Sequence, residues 1–197
     1  MSEIKSALEL ALERTADVKS DRSSLEAHEA RQVGMRLAGK FLENPSTDPA
    51  REIKQLDKPK QRPTKEGFYQ VMVSHLALPG QESDVQRLQT VQRGLQAVIR
   101  DRRLVEGLME QVTQYLQQYL DTKNQLTERL RQQFEPRLRQ KEQQIAEQTG
   151  RRVRLDPAND AEFVQALNQN LQRLQAQYAQ VIDQAKEQLD QLLSASL

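Results

Sequence analysis

The sequence predicts an all-α fold: a long antiparallel coiled-coil-like helical hairpin preceded by shorter N-terminal helices. Three observations lead there. Of 197 residues, 37% are hydrophobic and 4% aromatic while 29% are charged, too little bulky apolar surface for one large globular core. After residue 80 the chain is rich in Gln, Leu, Arg, Glu and Ala, side chains that lose little rotamer freedom on exposed helices. In that same half, apolar residues recur at alternating three- and four-residue spacing, with proline rare.

Residues 1–43 are expected to form a helical pair. Ile4, Leu8, Ala11, Leu12, Thr15 and Val18 share a face over residues 2–19, with Ser2 as N-cap. A polar break at 20–22 follows. Ser23-Ser24-Leu25-Glu26 has the form of a capping box, opening a second helix with Val33, Leu37 and Phe41 as its stripe. Residues 44–63 contain Pro45, Pro49, Pro59 and Pro63 in a polar, basic setting. This density of proline predicts a linker with one helical turn near 50–56. Residues 64–80 hold Phe68, Val71, Met72, His75 and Leu76 at helical spacing, bounded by Pro79-Gly80; a short strand over 68–73 is the alternative.

Residues 81–197 are expected to be the hairpin, turning near 150–157. Ser83-Asp84-Val85-Gln86 resembles a capping box, and a single helix over 83–149 would span about 100 Å. Val91, Leu95, Val98, Val105, Met109, Val112, Leu116, Tyr119, Leu126 and Leu130 follow a and d positions, interrupted by Arg102 and Lys123. The steps become four through Phe134 and Leu138, a stutter, and Pro136 predicts a kink near Glu135. Thr149-Gly150 reads as a C-cap and Asp156-Pro157 as the start of the returning helix. That helix carries a strict heptad, and Val164, Leu167, Leu171, Leu174, Tyr178, Val181 and Leu192 form the expected seam. Two helices cannot cover the whole seam, so the N-terminal helices or a second copy of the chain must.

The candidate chemistry is sparse. Residues 34–40 fit G-x-x-x-x-G-K, but Phe41 stands where a phosphate loop needs a hydroxyl, and the upstream segment is polar and helical. Small residues permitting close helix packing explain the match better. His28 and His75 lack the Glu-x-x-His context of di-iron bundles. No cysteine is present, which removes thiolate nucleophiles and Cys zinc sites. The expectation is no catalytic residue, no metal and no cofactor.

Charge narrows the partners. The net charge of +1 supplies no whole-molecule field toward nucleic acid or membrane, and no stretch approaches the ~20 apolar residues of a membrane span. A cytoplasmic setting is expected. Arg129, Arg131, Arg137, Arg139 and Lys141 face an acidic final helix, and pairing across the hairpin would set its register. Arg151, Arg152 and Arg154 form a candidate basic docking tip for nucleic acid or an acidic partner, though aromatic residues for base stacking are missing there.

The segment 4–15, with His28-Glu29-Ala30 and Arg36-Leu37-Ala38-Gly39, resembles the start of an uncharacterised bacterial family of helical proteins of unknown function. That resemblance implies helices throughout and brings no activity. In architecture alone, the expected hairpin is similar to peripheral-stalk subunits of rotary ATPases. The function expected is therefore that of a non-enzymatic scaffold or adaptor with an unidentified protein partner and self-association through the seam. The alternative is a nucleic-acid-associated protein using the basic tip.

Overall fold

The computed structural model describes residues 7–197, and the side chains of residues 23–197. Among the described residues there are six α-helices and no strand: α1 Ala7–Glu43, α2 Pro49–Lys54, α3 Lys58–Ser74, α4 Glu82–Val98, α5 Arg102–Thr149 and α6 Ala161–Ser194. The expected Ser2 cap and Ile4 lie outside the described residues, as do the side chains of Leu8, Ala11, Leu12, Thr15 and Val18.

Several boundaries differ from those expected, among them the start of α6 at Ala161 rather than Pro157. α1 is continuous across residues 20–26. Ser23 and Ser24 sit exposed inside it, because a capping box acts only where the preceding chain leaves the helix. Most of the expected linker is helical. Pro49 and Pro59 occupy first-turn positions, where a missing N–H costs nothing, and α2 is fastened by Asp48, whose side chain accepts from the Arg51 N–H at 3.1 Å. The helix expected over 83–149 is two helices, α4 and α5. Asp101 Oδ1 accepts from the Leu104 N–H at 3.1 Å and so caps α5. The Arg100 N–H meanwhile donates to Ser196 Oγ at 2.9 Å, which turns it away from α4. Pro136, in contrast, lies inside an unbroken α5. It and Gln132 are exposed, so the carbonyl left without a proline N–H faces water.

The chain divides into two compact units. Unit 1 comprises the described part of Met1–Leu76 with Gln89–Glu106 and Leu189–Leu197, and unit 2 comprises Ala77–Leu88 and Gly107–Gln188.

Unit 1 is built on a close crossing of α1 and α3. A Cβ placed on Gly34 would lie 2.0 Å from the Thr64 carbonyl oxygen, and one on Gly67 would lie 2.1 Å from that of Arg31. Only hydrogen fits at either position. At the same crossing the buried Thr64 hydroxyl donates to Lys60 O at 2.8 Å and Ala30 O at 3.2 Å. Arg31 and Arg62 both pair with Glu66 at its rim. Phe41 and Phe68 meet with ring centres 5.9 Å apart, and Gly94 of α4 lets the Met72 sulfur close over them. Ile53, Leu76, Val91, Leu95, Leu189 and Leu193 complete this core. Tyr69, buried on α3, donates to Asp190 Oδ1 at 2.5 Å. Burial, and then the Asp190 carboxylate, push its phenol well above the ordinary 10.0.

In unit 2, α5 and α6 pair in opposite directions. Tyr115 and Tyr119 meet Tyr178 at 4.4 and 5.3 Å between ring centres. Further along α5, Phe134 meets Phe163 edge-on at 5.5 Å, so rising numbers on α5 meet falling ones on α6. Met109, Val112, Leu116, Leu130 and Leu138 are the buried faces of α5. Lys123, an interruption of the apolar register, is satisfied there: its Nζ donates to Gly80 O at 2.9 Å.

Candidate functional site

The apolar face of α6 is the first candidate. Of the seven expected seam residues, Leu174 is buried, while Leu167, Leu171, Tyr178, Val181 and Leu192 are half-buried and Val164 is 36% exposed. Beside three of them, Phe163, Ile182 and Leu193 take the inner positions. The covered stripe therefore runs Phe163, Leu167, Leu171, Leu174, Tyr178, Ile182, Ala185, Leu189, Leu193, in steps of four, four and three. That is an eleven-residue period of about 3.67 residues per turn, close to a straight helix, whereas a seven-residue period drifts about 20° each repeat. Because 163/164, 181/182 and 192/193 are pairs of adjacent apolar residues, the sequence is compatible with either period. Phe163, Ile182 and Leu193 were missed for that reason.

Turning the inner face this way leaves a groove of about 290 Å³ between the two helices of unit 2. Leu108, Val112, Tyr115, Val181 and Ala185 line it with Gln111, Gln184 and Gln188. Its walls mix apolar side chains with neutral amides and carry no charged group. Such a surface recognises shape and apolar area rather than charge.

The connector is the second candidate. Gly150 takes a φ of +69°, the left-handed conformation that ends a helix after Thr149. Asp156 then caps a single 3-10 turn, Pro157–Asn159, and it is Asp160 that caps α6, accepting from the N–H groups of Glu162 and Phe163. The hydrogen bond from Lys141, and then that from the Phe163 N–H, hold the Asp160 carboxyl below its ordinary value. Of the basic residues expected to pair across the hairpin, Arg137 reaches Glu162 at 2.9 Å and Lys141 reaches Asp160. Arg139 instead pairs with Glu135 on its own helix.

Arg151, Arg152 and Arg154 are all exposed. Arg154 lines a cleft of about 430 Å³ together with Arg131 and Arg139, but Glu128, Glu135 and Glu142 alternate with them. Glu142 also accepts the Leu155 N–H at 2.6 Å, so this cleft neutralises itself and tethers the connector.

The remaining sequence candidates fall apart in space. Gly34 and Lys40 lie inside α1, where Gly34 serves the α3 crossing. His28 is exposed on α1, and His75 is the C-cap of α3. Among the described residues no group of three His, Asp or Glu is placed to hold a metal ion, and no helix is long and apolar enough to cross a membrane.

No curated protein and no solved structure matches the chain. A family match covers residues 50–191, beginning after the segments 4–15 and 28–39 whose pattern resembles an uncharacterised helical family. It takes in all of α2 but Pro49, α3 to α5 whole, most of α6, the groove and the connector. By this match the chain belongs to a family of unknown function, DUF6657.

Proposed function

We propose that the protein is a non-enzymatic, cytoplasmic scaffold or adaptor that acts by helix-on-helix packing, its first partner being a second copy of itself. The incompletely covered apolar face of α6 carries this reading. Val164 is 36% exposed, Val181 and Leu192 are half-buried, and Val181 opens into the groove beside Tyr115. An apolar stripe at this spacing suits another amphipathic helix. The neutral Gln rim places no like charges between two copies. Sedimentation of the full chain at micromolar concentration should give a dimer mass. Val164→Glu with Val181→Glu should return the monomer while keeping the helical circular dichroism. A wild-type chain that stays monomeric at high concentration would refute self-association.

The second reading is a nucleic-acid-associated protein using the connector. Its support is that Arg151, Arg152 and Arg154 are exposed and make no ion pair among the described residues. It predicts binding that weakens steeply with salt and disappears when the three arginines become alanine. Binding that ignores this triple substitution would dismiss the tip.

A further inference from the structure

We infer that a basic cleft in unit 1, between α2, α3 and the joint of α4 with α5, binds a small organic polyphosphate of nucleotide size. The cleft holds about 400 Å³, within the range of about 300–1,000 Å³ that small-molecule sites occupy.

Four cations, Lys54, Lys65, Arg100 and Arg102, line it, and no carboxylate does. None of the four makes an ion pair among the described residues. Nearby basic residues behave differently: Arg31 and Arg62 share Glu66, and Lys60 takes Asp57. The cleft of unit 2, with its alternating Arg and Glu, is also balanced. Here the positive charge converges without an internal partner, and such convergence raises the local concentration of an anion. A single carboxylate could answer only part of it. A chain of phosphates can engage several cations together through charge-assisted hydrogen bonds.

The walls are preorganised. Gln61 Nε2 donates to the carbonyls of Leu56 at 2.8 Å and Lys54 at 3.3 Å, and Gln96 Nε2 to that of Arg102 at 3.2 Å. These amides fix the backbone from which two of the cations project. Ile53, Val98 and Ile99 give the cleft a buried apolar floor.

A second cleft of about 260 Å³ shares Ala50, Gln96, Ala97 and Arg102 with the first and adds Arg93, Pro45 and Pro49. Its one acid, Asp48, is occupied as the cap of α2. The two adjoin at Arg102, which gives the phosphates the basic cleft and the flat organic part the proline-lined one. This inference is independent of the seam and of the connector.

The test is calorimetric titration of the full chain with adenosine triphosphate and with inorganic triphosphate, at low and high salt. Saturable one-to-one binding that weakens with salt is expected, tighter for the nucleotide than for bare triphosphate. Lys54→Gln with Arg102→Gln should weaken it at least about tenfold with an unchanged thermal melt. Arg151→Gln with Arg152→Gln should leave it intact. Absence of saturable binding, or loss in the connector variant instead of the cleft variant, would overturn the assignment. So would a single-stranded oligonucleotide that occupies the cleft while the nucleotide does not.

Discussion

A methyl group at Gly34 would stand 2.0 Å from the Thr64 carbonyl oxygen, whereas one at Gly39, in the same helix, would meet nothing within 4 Å. The first obstacle is backbone, which cannot rotate aside, so α1 and α3 would have to separate and loosen the Phe41–Phe68 contact. Gly34→Ala is expected to destabilise by about 3 kcal/mol. Gly39→Ala should instead stabilise by about 0.5–1 kcal/mol, since alanine loses less backbone entropy in a helix. Paired urea melts give both signs, and a harmless Gly34→Ala would contradict the crossing. The sequence already favoured small-residue packing over a phosphate loop at this motif. It could not separate the two glycines, because the partner of Gly34 is Gly67 on another helix and nothing in the spacing within α1 points to it.

At the level of helices, where each one stops depends on bonds that local pattern does not record. The α4–α5 break sits between Val98 and Val105, which keep heptad spacing across it. Apolar periodicity therefore runs straight through the break. Asp101 is a good cap but would also be an unremarked solvent-facing residue in a longer helix. The deciding partner, Ser196 Oγ, comes from far along the chain. Ser196→Ala leaves the Arg100 N–H without that acceptor and should cost about 1 kcal/mol. It should also raise amide hydrogen exchange at Arg100 in native conditions; unchanged exchange there would assign the break to Asp101 alone. The all-α composition and the helix end at Thr149-Gly150 were legible, because glycine acts locally; Asp156-Pro157 opens only a 3-10 turn, and α6 starts after Asp160. Pro49 and Pro59 misled for the converse reason: a helix tolerates proline in its first turn, and only the structure shows which turn is first, while Pro63 lies inside α3.

For the whole molecule, unit 1 takes its parts from three separated stretches of chain, and Tyr69 with Asp190 ties two of them. The pH dependence of that tie has a definite sign. The folded state keeps the phenol protonated well past 10.0, while the unfolded chain releases the proton near that value. Its contribution is therefore fully present below pH 10.0 and lost as pH rises further. Tyr69→Phe should cost about 1 kcal/mol at neutral pH and should flatten the loss of stability above pH 10.0 relative to wild type. Denaturant unfolding on either side of that pH measures both; parallel profiles would mean the phenol is not held in this way. Membership of the family, matched over residues 50–191, covers both residues of this tie.

The tie between Tyr69 and Asp190 also sets a schedule. The two residues are separated by 121 positions, and Leu189 and Leu193 join the same core. During synthesis α1, α2 and α3 emerge early and can cross at Gly34 and Gly67, yet their shared core stays open until residues 189–193 have left the ribosome. At about 5–20 residues per second, that is an interval of several seconds, long compared with helix formation. Throughout it the Tyr69 hydroxyl lacks its acceptor on Asp190, which makes the nascent chain, rather than the finished protein, the form most in need of a chaperone.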